Sequence, residues 1–274
     1  MQRVRGTRDV ARFVRDFPAT PPAAGELVRF DAVADPSTSA DLPVWTDWEG
    51  PLPDRIADCH ASIVAAAPHA RVLTPESFDL LWDADRDIDL SRLQPAHRAH
   101  FIRAFLLQRH AGLRVDTDCL VMQPLKPVLA LLAERDFVGH RERSGLVSND
   151  FIGVRRGCRI AASFHERVSR RLRQRGALGW TTIGSEPLNT VLAEQPQAWH
   201  ELPCERVQPV CWSTPEKFFA RASAETHRRC RTCPSPRSRA CSRISAAAGP
   251  DGCWPRFSPG RGRTSTRPTA TGAL

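Results

Sequence analysis

Arg103-Ala-Phe-Leu-Leu-Gln-Arg-His-Ala-Gly-Leu-Arg-Val-Asp116-Thr-Asp118 is the stretch from which the rest of the chain can be read. Its first half continues a pattern begun at Ala96. Phe101, Ile102, Phe105 and Leu106 recur at helical spacing, which predicts a helix over 96–110. Gly112 stands where a C-terminal helix cap belongs. Leu113-Arg114-Val115 then reads as a short strand running straight into Asp116-Thr117-Asp118. In open α/β sheets, ligands bind in a crevice beyond the carboxyl ends of strands, so two aspartates at such an end have a place to act. Two carboxylates separated by a single residue offer hard oxygens suited to Mg²⁺ or Mn²⁺, and both ions also take phosphate oxygens. A bare Asp-x-Asp is common in solvated loops, so its surroundings decide.

Working outward, Val44-Trp45-Thr46-Asp47-Trp48 is a short β-like run turned by Gly50-Pro51-Leu52-Pro53. A helix is predicted over 54–67, with Ile56, Cys59, Ile63 and Ala67 on one face, and Pro68 ends it. Residues 70–73 read as a buried strand. Pro75 then opens a helix carrying Phe78, Leu81 and Trp82. Beyond the acidic pair, Leu120–Met122 reads as extended, and Pro124 and Pro127 frame a turn. Phe137–Gly139 and Phe151–Val154 are strand candidates, and helices are predicted over 159–175 and 187–194. Strands alternating with helices predict an α/β sheet covered on both faces.

The flanks differ. Residues 1–43 are expected to be poorly ordered, apart from a short amphipathic helix between Arg3 and Phe17. The net charge is +9, but 11 of the 39 basic and two of the 30 acidic residues fall in 221–274, so residues 1–220 are balanced. The basic character therefore says nothing of what 44–220 binds, and no specific nucleic-acid partner is expected. In 221–274, Arg, Ser, Pro, Cys and Thr dominate, and Ile244, Trp254, Phe257 and Leu274 are the large apolar residues. Such a segment cannot bury enough surface to offset its chain entropy, so a disordered tail is expected. Translation out of frame and a genuine basic tail both remain open for it. Among the nine cysteines, Cys59, Cys119, Cys158, Cys204 and Cys211 have no ligand spacing and are expected to be buried free thiols. Cys230 and Cys233 have zinc-ligand spacing with Cys241 and either His227 or Cys253, though the segment offers little framework for a metal module. No run approaches the length of a membrane span and no leader is visible, so a cytoplasmic protein is expected. The eight arginines of 155–175 form a solvated helix face or, alternatively, a contact with an anionic acceptor or the inner face of a membrane.

Arg103, Gly112, Asp116, Asp118 and the following Pro124-Leu125 resemble, without a gap, the pattern of the DXD sugar-binding glycosyltransferases, family thirty-two. Relatives in that family include capsular polysaccharide synthesis proteins, yeast initiating mannosyltransferases and large glucosylating toxins. Trp48–Pro53 resembles the family's opening strand and turn, Ser148–Gly153 its Asn-containing strand, and Ile183–Asn189 its Thr-Gly-Pro segment. His100 stands where the family has Asp, Ala111 where it has the first Gly of a pair, and Ile183-Gly184-Ser185 in place of Thr-Gly-Pro. The resemblance implies a GT-A-type, Rossmann-like nucleotide-sugar-binding domain over 44–220. It also implies metal-dependent, retaining transfer from a nucleotide-sugar donor to a saccharide or lipid-linked acceptor. Asp118 would be the main metal ligand, with Mn²⁺ or Mg²⁺. Asp116 would support the metal and contact ribose or sugar, and Arg103 would contact sugar or diphosphate. Trp48 would stack on the base, with Trp45 as the alternative, and Asn149 and Asp150 would face the acceptor. The family's closing segment would be expected after Phe219, where the unusual tail begins.

Overall fold

The structure, a computed structural model, describes residues 25–27, 42–142, 144–195 and 199–210. Seven strands form one sheet in the order β1-β7-β5-β6-β4-β2-β3. They are β1 (Glu26–Leu27), β2 (Val44–Asp47), β3 (Arg71–Leu73), β4 (Gly112–Val115), β5 (Phe137–His140), β6 (Phe151–Val154) and β7 (His200–Leu202). All run in one direction except β6, which is antiparallel to both β4 and β5. The helices are α1 (Asp54–Ala66), α2 (Pro75–Leu81), α3 (Pro95–His110), α4 (Lys126–Leu131), α5 (Arg159–Arg173), α6 (Ser185–Glu194) and α7 (Cys204–Val207).

Strand alternation sends neighbouring residues to opposite faces, and two apolar clusters result. Phe137, Ile152 and Val154 join Phe101 and Phe105 of α3, Phe164 and Val168 of α5, and Leu188 and Val191 of α6. On the other face Val44, Leu113, Val115, Val138 and Phe151 pack with Ile63 of α1 and Leu129 of α4. The predicted α/β architecture with helices on both faces is therefore present.

Several elements differ from expectation. Residues 1–43 include β1, which pairs in parallel with β7 at the sheet edge. Ala111, not Gly112, caps α3, at φ 59° and ψ −166°. Gly112 is already in β4 with φ 101°, where a Cβ would come within 2.2 Å of the Pro43 carbonyl oxygen. The proline pair after the acidic motif does not frame a simple turn, because Pro127 lies in the first turn of α4. On α1 it is His60, not Cys59, that is buried beside Ile56 and Ile63. The helix expected between Arg3 and Phe17, the tail from 221 and its four cysteines lie outside the described residues.

The chain order places a crevice. From β2 the chain goes through α1 to β3 on one side, then returns through α2 and α3 to β4 on the other. The carboxyl ends of β2 and β4 therefore flank a point where the winding reverses, the position at which such sheets take ligands. Because β6 is reversed, its first residue lies opposite the last of β4, with Phe151 paired to Val115. The segment entering β6 thus reaches the same edge.

Candidate active site

Asp47 ends β2, Asp116 follows β4, His140 ends β5 and Asp150 precedes β6, so four polar side chains converge on one edge of the sheet. Asp116 opens a tight turn: the Cys119 N–H donates to the Asp116 carbonyl at 3.0 Å. Asp suits the first position of such a turn, and Asp118 falls at its third. The turn is held from both sides. The Asp116 N–H donates to the Asp150 carbonyl at 2.8 Å, and the Thr117 hydroxyl bonds Nε2 of His60 on α1. Burial lowers the basicity of His60, so it acts as a neutral anchor.

Two arginines lie beneath the turn. Arg103, on the sheet-facing side of α3 and 2% exposed, forms an ion pair with the Asp116 carboxylate and donates to His100 Nδ1 at 3.1 Å. Arg114, 1% exposed in the middle of β4, pairs with Asp47 and reaches Asp116 at 3.5 Å. Asp116 is therefore fixed by two guanidinium groups. Arg103 is neither a helix-surface ion pair nor an open ligand contact; it is the buried partner that holds Asp116. Asp118 is exposed at the mouth. Desolvation by the protein below it, then the nearby Asp116 and Asp150 carboxylates, push its carboxyl above the usual range. Asp150 is likewise pushed up, first by burial and then by Asp116, against the opposing influence of His140. One of its oxygens, Oδ1, is buried without a hydrogen-bond partner and lies 3.7 Å from His140 Nε2. The other accepts from Gln208 at 3.4 Å.

The remaining sequence candidates divide. Trp45 is in the core at 1% exposure, and its indole N–H donates to the Ala111 carbonyl at 2.8 Å, so it has no face to offer a ligand. Trp48 is half-buried, donates to Pro51 at 3.2 Å, and lines a largely apolar cleft of about 260 Å³ with Phe78, Trp82 and Ile102. Asn149 is buried beside His100 at 3.4 Å. The loop carrying Asn149 and Asp150 is fixed by Asn189 of α6, which accepts from the Val147 N–H at 2.8 Å and donates to the Val147 carbonyl at 2.9 Å.

His100 accepts from Arg103 at Nδ1, and the backbone of Trp180 lies close to its ring. Burial, then the Arg103 charge, hold its basicity far below the ordinary histidine range. A carboxylate at this position would add a second anion beside Arg103; the neutral ring instead links α3 to the 176–184 loop. Gly184 makes that contact possible, since a Cβ there would come within 2.9 Å of the His100 ring and 2.8 Å of the Asn149 amide.

No known protein family matches this chain, and no curated protein matches it. Among solved structures it is similar to one titled "PaToxG Glycosyltransferase", with 11% identity, a TM-score of 0.42, and coverage of 69% of this chain and 74% of that one. What the present chain does is therefore read from its own crevice.

Sequence reading missed Asp47, His60, Arg114 and His140. An arginine inside a four-residue strand of otherwise apolar and glycine residues was a visible signal for Arg114. The others act through strand register and helix packing, which local spacing does not reveal. Among the described residues no three His, Cys, Asp or Glu side chains are arranged to hold a metal ion by themselves. The arginines of α5 are largely paired, Arg167 with Glu194 at 2.6 Å and Arg173 with Asp87 at 2.7 Å, as a solvated face requires. No described helix is long and apolar enough to cross a membrane.

Proposed function

We propose that this chain is a glycosyltransferase domain of the GT-A type. It would bind a nucleotide-sugar donor across the carboxyl ends of β2 and β4 and deliver the sugar to a saccharide or lipid-linked acceptor. The observation that carries this reading is the clustering of Asp116, Asp118 and Asp150 over two buried arginines at the winding reversal of the sheet.

Mutual repulsion among these carboxylates is the electrostatic condition that a divalent cation relieves. The donor set fits Mg²⁺ or Mn²⁺ carried in with a diphosphate: Asp118 is open, and phosphate oxygens and water would complete the shell. Such an ion supplies Lewis-acid stabilisation of the departing diphosphate. The chain's own residues do the rest. Arg103 and Arg114 fix Asp116 so that its free edge can meet ribose or sugar hydroxyls. Trp48 and the apolar cleft beside it suit a planar base. Asp150, supported from behind by His140, faces the space an acceptor hydroxyl would occupy and is suited to receive its proton at Oδ2. Retention of anomeric configuration rests on the family resemblance alone.

One observation favours a second reading, a homologue that binds donor without turnover. Position 100 carries a neutral ring tied to Arg103 and Asn149 where the resembling family has an acid. Assaying sugar transfer and donor hydrolysis with panels of UDP- and GDP-sugars separates the two. Metal-dependent turnover supports the enzyme. Donor binding without turnover supports the inactive homologue, and no donor binding refutes both.

A further inference from the structure

Trp180 is 66% exposed, and it is the one aromatic among the exposed large apolar side chains of the described residues. A single exposed apolar side chain is ordinary by itself, so what distinguishes this indole is how rigidly its segment is held. The loop that carries it is pinned on several sides. The Gly179 carbonyl meets His97 Nε2 at 3.2 Å, and the Gly179 N–H donates to Thr182 Oγ1 at 2.9 Å. The Gly184 N–H donates to the Thr181 carbonyl at 3.0 Å, and Leu178 packs into the main core. The Trp180 backbone itself lies close to the His100 ring.

These contacts connect the loop to the carboxylates. His97, His100 and Arg103 follow one another at three-residue spacing along one side of α3. They touch, in turn, Gly179, the Trp180 backbone and Asp116. The six-residue step from His97 to Arg103 rises about 9 Å, so the segment carrying Trp180 is held roughly one or two sugar rings from Asp116. Asn149 lies between, against both His100 and Gly184.

We propose that Trp180 is a stacking platform for the saccharide acceptor, taking the apolar face of a pyranose ring one residue beyond the one that reacts. The proposal rests on the glycosyltransferase reading and names the acceptor class for that same crevice. Trp48 serves the donor side and Trp180 the acceptor side, and the pinned loop means that little ordering is needed when sugar binds.

The test is fluorine NMR of the full chain labelled with 5-fluorotryptophan, with the Trp48 and Trp180 signals assigned through Trp48→Phe and Trp180→Phe. UDP and GDP with Mn²⁺ are added first, then maltose, cellobiose and mannobiose. The Trp48 signal should move with nucleotide and the Trp180 signal with at least one disaccharide. Trp180→Ala should weaken that disaccharide roughly tenfold without altering nucleotide binding, and Trp180→Phe should restore it. A Trp48 response with a Trp180 signal silent to every sugar overturns this inference and leaves the transferase reading standing. Silence of both signals overturns both. A Trp180 shift that depends on protein concentration without sugar assigns the indole to a self-contact and also overturns it.

Discussion

Asp116 and Asp118 are two residues apart and have opposite energetic roles. Asp116 neutralises Arg103, which is buried and whose other polar contact is a neutral histidine. Replacing Asp116 by Ala leaves that guanidinium without a counter-charge, and a loss of roughly 3 kcal/mol in unfolding free energy is expected. Asp118 is exposed and sits beside like charges. Asp118→Asn should therefore leave stability within about 0.5 kcal/mol of the parent, or raise it, while abolishing metal-dependent donor binding. Urea denaturation of the two variants checks the contrast; an equal loss in both would contradict it. His100 adds a pH dependence. Its native basicity is far below that of the unfolded chain, so between those limits the unfolded state binds the extra proton. Stability should fall as pH drops below about 6.5, the ordinary histidine value, and be fully present above it. Denaturation at pH 5 and pH 8 should show a smaller gap for His100→Gln than for the parent chain. An unchanged gap would show that His100 is not the proton-excluding group.

The joint between α3 and β4 is the element on which the site's geometry depends. Ala111 is held at φ 59° and ψ −166°, a region that ordinarily admits only glycine, at a cost of roughly 1–3 kcal/mol. Ala111→Gly relieves that strain, which offsets the lost buried methyl of about 0.8 kcal/mol and the added chain entropy. Its stability should lie within about 1 kcal/mol of the parent or above it, whereas Ala104→Gly in the interior of the same helix should lose about 2 kcal/mol. Equal losses in a thermal or urea melt would show that the joint is unstrained. This element was legible in sequence because its signals are local: helical spacing, a glycine, a short strand and two acids. The conformational demand at Gly112 was not, since it comes from Pro43, far away in sequence. The short helix α4 was hidden because a proline opening a helix and a proline in a turn look alike in a single sequence.

Across the whole molecule, the α/β alternation predicted two covered faces, and both apolar clusters are present. What spacing could not supply was sheet order. The reversed strand β6 brings Asp150 to Asp116, and parallel pairing brings Asp47 beside Arg114; both are consequences of register between distant segments. Residues 221–274 hold few large apolar residues and carry the whole charge excess. Removing 221–274 should therefore shift the thermal midpoint by no more than about 4 °C and abolish any salt-sensitive association with nucleic acid. A collapsed melt would make the tail part of the packed structure. The central claim is that the crevice takes a nucleotide sugar through Asp118 and a divalent cation. Calorimetric titration of the full chain and of Asp118→Asn with UDP- and GDP-sugars, with and without Mn²⁺, tests it most directly. The account predicts that at least one donor binds, at least about tenfold tighter with Mn²⁺, and that this gain vanishes in Asp118→Asn. Binding that is indifferent to the metal, equal in both proteins, or absent for every donor would contradict it.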